Sequence, residues 1–139
     1  VYRDKIIRPM IFMCVICDEE PGSHSFYLVG LDGDIRSYYT CPAKATKYWD
    51  TKGILRHYEE LLEANGEHPW IWIFDSEGFD MKHSMQIATA LGLINLLKKK
   101  YGKHLLEIRI VHPSIYIKSM YTIIRPFLTP DLLQLITWI

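Results

Sequence analysis

The chain has 139 residues, of which 49% are hydrophobic and 13% aromatic, and its 16 basic residues balance 16 acidic ones. This length suits a single domain, and the composition excludes an intrinsically disordered chain. A formal net charge of zero provides no overall field to hold a polyanion, so we expect no nucleic-acid partner.

The first predicted strand is an apolar run at residues 10–17 that contains the pair Cys14-x-x-Cys17. This run is far shorter than the ~18 residues of a membrane span, so no transmembrane segment is expected. Side chains three apart face opposite sides of a strand, and no second Cys or Cys/His pair completes a metal site. We therefore expect both cysteines to be buried and structural, with no metal and no other cofactor. With Cys41 the cysteines number three, and this odd count indicates reduced thiols and a cytoplasmic location.

The next elements are predicted from turn residues and from changes in hydrophobic period. Strands at residues 25–31 and 34–40 flank Asp32-Gly33, which predicts a hairpin with a two-residue turn. Apolar residues at helical spacing predict a helix over 50–64, which Asn65-Gly66 ends. The short apolar run 70–74 is typical of a central strand covered on both faces.

The remaining elements continue an alternation of strands and helices. Residues 84–100 predict a helix that is apolar around most of its circumference, and residues 108–111 predict a strand. Ser114 caps a third helix that extends to about residue 125, and Thr129-Pro130 opens a fourth. This order predicts an α/β fold, a mixed sheet with parallel central strands covered by helices and antiparallel strands at the N-terminal side.

Polar side chains follow two of the predicted parallel strands, where α/β sheets collect their ligands. An acid–base enzyme would pair Asp75 or Glu77 with His112. The simpler interpretation is that Asp75 and His112 bond loop backbone groups and that Gly78 permits a tight turn. We favour it and expect no enzyme, because the sequence has no nucleophile elbow, phosphate loop or paired metal-binding His. The remaining histidines are expected at the surface: His24, His57, His68, His83 and His104.

The predicted helix at 114–125 has an unusual distribution of polar residues. A narrow polar stripe of Ser114, Lys118, Thr122 and Arg125 interrupts an otherwise apolar circumference. A helix that covers a core shows a broad polar face, so this helix is expected to contact apolar material on more than one side. Two explanations remain open, deep burial under other sequence or a partner, and a lid over an apolar ligand cavity.

An ordered set of motifs resembles the second half of CRAL-TRIO domains, the fold of secretory phosphatidylinositol-transfer proteins. Those domains carry Tyr-Pro-Glu-x-Leu, a strand that ends in Asn-x-Pro, a gate helix, Lys-Pro-Phe-Leu and Asp-x-x-Gly. The matching segments here are 101–105, 108–114, 125–128 and 75–78. The Ile-Val-His-Pro of 110–113 is most similar to the BCH subgroup, whose members often dock proteins, including Rho-type GTPases.

The resemblance extends from about residue 34 to 139 of a single domain, with 1–31 as an additional β segment. It implies that the C-terminal part of the family fold is missing, because the final strand and closing helix would begin near residues 136–139. Phosphatidylinositol-binding members have an acid and a Lys where this chain has Lys103 and Leu135. Recognition of that headgroup is therefore not expected.

The resemblance implies a non-catalytic module that binds a hydrophobic small molecule or phospholipid between the sheet and the gate helix. Transient, peripheral contact with membranes would accompany this function. The alternative is a BCH-like docking or assembly domain without lipid, whose partner is a small GTPase or a larger assembly. No catalytic or metal-binding residue is expected, and the expected pocket and gate residues are Phe74, Phe79, Ile115, Tyr116, Met120, Ile124 and Phe127.

Overall fold

The structure is a computed structural model that describes residues 14–20 and 22–139 of the chain, apart from the side chains of Val15 and Asp18. Within these residues the sheet has five strands in the order β1-β2-β3-β4-β5. The first pair is antiparallel and the three other pairs are parallel, which confirms the predicted mixed α/β sheet. The strands are β1 Tyr27–Asp32, β2 Ile35–Thr40, β3 Trp70–Asp75, β4 Leu105–Val111 and β5 Ile136–Trp138.

Helices connect the parallel strands and cover one face of the sheet. No helix in the described part of the chain is long and apolar enough to cross a membrane. The α-helices are α1 Val15–Glu19, α2 Thr51–Asn65, α3 Met81–Ser84, α4 Ile87–Lys99, α5 Ile115–Ile124 and α6 Pro130–Leu135, and short 3-10 turns span Pro42–Lys44, Tyr101–His104 and Arg125–Phe127.

The strand predicted at 10–17 is wrong over its described part. Val15–Glu19 forms a short helix, which closes where the amide of Glu20 donates to the carbonyl of Ile16 at 2.8 Å. Residues 10–13 lie outside the described residues. A short apolar run does not distinguish a strand from a buried helical segment, and here the helix is what forms. Cys14 and Cys17 are buried, as predicted.

The predicted hairpin is present, with its turn one residue later than expected. Asp32 pairs with Ile35, so the two turn residues are Gly33 and Asp34. Gly33 has a φ of +61°, a conformation that glycine adopts without a steric penalty. The glycine therefore takes the first central position of the turn.

Capping residues define the two long helices. Asp50 caps α2 by accepting a hydrogen bond from the amide of Gly53 at 3.2 Å, and Gly66 follows its last residue, as predicted. The helix predicted at 84–100 is divided into α3 and α4. Asp80 and His83 form a capping box that starts α3 earlier than expected, and the chain leaves the helix at Gln86 before α4 begins.

The main core lies between the sheet and the covering helices, and its centre is aromatic. Phe26 is fully buried, with its ring stacked on Tyr58 at a centroid distance of 3.7 Å and on Tyr38 at 5.3 Å. Trp70 and Trp72 from β3 extend the same core. Alternate residues, including Ile73 and Tyr39, form a smaller cluster on the opposite face of the sheet. Both faces of β3 are thus apolar, which explains its continuous hydrophobic run.

We expect Phe26→Ala to lower the free energy of unfolding by about 3–5 kcal/mol, because a buried aromatic ring would leave a cavity between Tyr38 and Tyr58. Urea denaturation measures the effect. Leu31→Ala, in the strand that follows Phe26 but 61% exposed, is the matched control and should change stability by no more than ~0.5 kcal/mol. A cost below ~1 kcal/mol for Phe26→Ala would contradict this account of the core.

Candidate functional site

Helix α5 lies against the helical face of the sheet and is fixed at its N-terminus. Ser114 caps it by accepting a hydrogen bond from the amide of Ile117 at 3.5 Å, and the same hydroxyl donates to the carbonyl of Phe79. The preceding residue pair, His112-Pro113, turns the chain out of β4, and His112 has a φ of +53°. The buried side chains of Ile117 and Met120 join α5 to the main core.

Two small cavities inside the protein border α5. The first, of about 70 Å³, has apolar walls and polar side chains such as His83, Gln86 and Thr89 on its lining. The second, of about 90 Å³, is lined by apolar side chains and Tyr121, including Ile110 from β4. Both are far smaller than the ~300–1,000 Å³ of pockets that hold drug-sized ligands.

The two cavities are adjacent, because they share part of their lining. Phe74 from β3, Ala90 and Leu93 from α4, and Met120 from α5 contribute to both. Met120 is the α5 residue common to the two cavities, so its side chain is part of the wall that separates them. A movement of α5 away from the sheet would join the two spaces.

The predicted pocket residues divide into two groups. Phe74 and Met120 line both cavities, Phe79 lines the first and Ile124 lines the second. Ile115, Tyr116 and Phe127 are absent from both linings, and Ile115 is 73% exposed. Leu93 and Ala90 also line both cavities but were not predicted, because their helix is apolar around most of its circumference and its sequence does not show which side faces a cavity.

The apolar circumference of α5 is only partly covered by the described residues. One side packs on the core, and Tyr121 makes an edge contact with Trp138 at a centroid distance of 5.1 Å. Ile115 and Ile123 point outward and are largely exposed, as is Phe127 beyond the helix. The helix therefore presents apolar surface both to the cavities and to its outer side.

The predicted acid–base pair is present on the other face of the sheet. His112 Nδ1 lies 2.9 Å from Asp75 Oδ1, which also accepts the amide hydrogen of Glu77. Tyr39 donates its hydroxyl hydrogen to Asp75 Oδ2. Gly78, with a φ of +77°, forms the predicted tight turn, and its α-hydrogen faces Ala43 at a distance that leaves no room for a side chain. Neither Asp75 nor His112 lines the two cavities.

These contacts fix the charge state of Asp75. Burial alone would raise the pKa of this carboxyl group, but the hydrogen bonds from Tyr39, His112 and the Glu77 amide outweigh it and lower the pKa below its usual value. The Asp75 carboxylate thus accepts three hydrogen bonds from groups of the protein itself, as a structural acceptor does. This geometry matches the interpretation in which Asp75 bonds a loop backbone group.

Three of the five histidines expected at the surface are buried, so that expectation is wrong for His24, His57 and His83. Each has a hydrogen-bond partner inside the protein, which offsets the cost of burying its ring. His57 Nε2 lies 2.8 Å from the carbonyl oxygen of Phe26, and His83 Nδ1 accepts from the amide of Asp80. Burial lowers the pKa of His57 to about 4, so it is neutral near pH 7. His68 is exposed, as predicted.

A comparison with protein-family models finds that the CRAL/TRIO domain matches residues 43–139. The matched segment contains α2 to β5 and therefore most of the lining of both cavities. A search of curated proteins gives no significant match.

Asp75→Asn should destabilise the protein by about 1–3 kcal/mol at pH 7, because a carboxylate oxygen that accepts hydrogen bonds becomes an amide. Folding lowers the pKa of the Asp75 carboxyl group, so the group stabilises the folded state fully at pH values above its pKa in the unfolded chain. This contribution is lost as the pH falls through its pKa in the folded protein. The stability difference between wild type and variant should therefore shrink below about pH 4. Urea denaturation at several pH values measures it. Asp34→Asn, in the exposed hairpin turn, is the control, and an equal pH-dependence in both variants would contradict the prediction.

Proposed function

The chain belongs to the CRAL/TRIO domain family, and on that premise we propose that it is a non-catalytic module that binds a hydrophobic ligand or lipid between the sheet and helix α5. The observation that carries the proposal is the pair of adjacent apolar cavities on either side of Met120. They lie where the chain brings α4, α5 and the central strands together.

The size of the cavities requires that α5 moves when a ligand binds. About 70 and 90 Å³ hold no lipid chain, so the proposal depends on an open state that differs from the present arrangement. Displacement of Met120 and Ile117 would expose Phe74 and Leu93 and create one continuous apolar space. The exposed Ile115 and Ile123 on the outer side of α5 would remain at the surface during this movement.

The two cavities differ in polarity, and this difference favours one orientation of the ligand. The first cavity has His83, Gln86 and Thr89 among its lining residues, and these side chains can bond a polar group. The second is bordered by aliphatic and aromatic side chains. We propose that an apolar tail occupies the second cavity while the polar end of the ligand lies in the first.

The exposed apolar surface of α5 favours a second candidate function. Ile115 is 73% exposed, Phe127 is 51% exposed, and both lie on or next to the same helix. A docking domain without lipid would use this surface for a protein partner, as expected for a BCH-like module. Docking does not require any ligand behind Met120, so a substitution of Met120 that fills the cavities separates the two functions.

Met120→Trp should reduce ligand uptake by about tenfold or more, because the indole would fill the space between the two cavities. Uptake is measured by transfer of a fluorescent phospholipid from phosphatidylcholine vesicles, together with native mass spectrometry for lipid that co-purifies. Ile123→Trp adds the same ring on the exposed side of α5 and is the matched control. It should leave uptake unchanged.

The thermal stability of Met120→Trp shows whether the site is a ligand cavity or packed core. A filled cavity leaves stability nearly unchanged, whereas overpacking of a core costs about 1–3 kcal/mol. The lipid function is contradicted if the wild-type protein takes up no apolar ligand. It is also contradicted if Met120→Trp takes up as much as Ile123→Trp.

A further inference from the structure

Four side chains outside the proposed ligand site converge on one buried point. They are Cys14, Cys17, His24 and His57, and one Sγ or ring nitrogen from each lies within 4.8 Å of the other three. None of the four residues is more than 3% exposed. Thiolates and imidazoles are the ligands that zinc prefers, and burial of all four together is the usual setting of a structural zinc site.

The distances within this cluster agree with a tetrahedral metal centre. His24 Nδ1 lies 3.4 Å from Sγ of Cys14 and 3.4 Å from Sγ of Cys17. Zinc bonds of about 2.3 Å to sulfur and about 2.0–2.1 Å to nitrogen place neighbouring ligand atoms about 3.3–3.8 Å apart. The remaining pairs of ligand atoms lie within 4.8 Å of each other, so zinc binding needs them to approach by at most about 1.5 Å, which side-chain rotation can supply.

The local structure explains how the two cysteines reach the same point. Cys14 directly precedes α1 and Cys17 lies within it, so one helical turn separates them. Residues three apart lie on the same side of a helix. In a strand the two thiols would face opposite sides, whereas in this helical turn they lie on the same side.

Both histidines are oriented by hydrogen bonds through their outer nitrogens. His24 Nε2 lies 3.0 Å from Asp50 Oδ2, and His57 Nε2 lies 2.8 Å from the carbonyl oxygen of Phe26. Carboxylate and carbonyl oxygens accept hydrogen bonds, so each Nε2 carries the hydrogen and each Nδ1 carries the lone pair. This arrangement, with a carboxylate or carbonyl behind the ring, is the one that metal-binding histidines adopt.

Gly53, in the first turn of α2, leaves room for the contact between Asp50 and His24. A Cβ atom on Gly53 would overlap the carboxylate of Asp50 and lie 2.7 Å from Nε2 of His24. The absence of a side chain at Gly53 thus allows Asp50 to cap α2 with one oxygen and to bond His24 with the other.

We infer that Cys14, Cys17, His24 and His57 bind a zinc ion that links the N-terminal segment to helix α2. Two thiolates, two neutral imidazoles and Zn²⁺ carry no net charge, which suits a buried centre. Four protein ligands complete a tetrahedral shell and leave no position for substrate, so the ion has a structural role. His24 also lines the first cavity, so the zinc ion would hold one wall of the ligand site.

Zinc content is measured by elemental analysis of the untagged full chain, purified with a thiol reductant and without a chelator. We expect about one zinc per chain, and a chelator should lower Tm by on the order of 10 °C, with recovery when zinc is added back. Cobalt(II) in place of zinc should give thiolate-to-cobalt charge-transfer bands and the intense d–d bands of a tetrahedral site.

Cys17→Ser and His57→Gln should each lose the zinc and the cobalt spectrum. Cys41→Ser is the matched control, because Cys41 is equally buried but lies in the cluster on the opposite face of the sheet. It should keep both. If Cys17→Ser does not fold, the cobalt spectra of the wild type and of Cys41→Ser decide the matter, since equal charge-transfer bands in both assign the thiolates to Cys14 and Cys17.

Three results would overturn the zinc site. One is a reduced wild-type protein that holds no zinc and gives no tetrahedral cobalt spectrum. Another is equal loss of metal in Cys41→Ser and Cys17→Ser. The third is a Cys14–Cys17 disulfide that mass spectrometry still finds in wild-type protein purified with the reductant and supplied with zinc.

Discussion

The alternation of side chains along β3 is the constraint on which the rest of the structure depends. Trp72 and Phe74 face the helices and build the main core, while Ile73 and Asp75 face the opposite side of the sheet. Because neighbouring residues point in opposite directions, Phe74 lines the two cavities beside α5 and Asp75 does not. The cavities and the pair of Asp75 and His112 are therefore two separate sites on opposite faces, although their residues are adjacent in the sequence.

Much of the fold could be predicted because local signals and tertiary structure agree. The apolar run of β3, the Ser114 cap and the glycine after α2 each act within a few residues, and the structure has all of them. The prediction failed where the signal was ambiguous or distant. Residues 15–17 are apolar and suit either a strand or a buried helical segment, and in the structure they begin a short helix. His24 and His57 lie 33 positions apart, so no local pattern indicates that their rings meet at 5.4 Å.

Cavities do lie beside α5, and four of the seven predicted pocket residues line them. The sequence of α5 has a narrow polar stripe and an otherwise apolar circumference, which identified the helix as unusual. Met120 and Ile124 of this helix do line the cavities. A helix that is apolar on most sides gives no indication of which side faces inward. The rotation of α5 is fixed instead by the Ser114 cap and by the packing of Ile117, and it turns Ile115 outward. Leu93 was missed for the same reason, since α4 is also apolar around most of its circumference.

Asp50 has a consequence for the order in which the chain folds. Its Oδ1 accepts from the amide of Gly53 three residues later, and its Oδ2 bonds His24, which lies 26 positions earlier in the chain. A contact within one helical turn closes a short loop and forms quickly, whereas a contact between distant segments must wait for slower loop closure. Once the N-terminus of α2 has formed, the carboxylate of Asp50 is already oriented toward the position that His24 occupies in the folded protein. Formation of the α2 N-terminus thus prepares the docking of the segment that contains His24. The bond from Asp50 to the amide of Gly53 would form before the bond from Asp50 to His24.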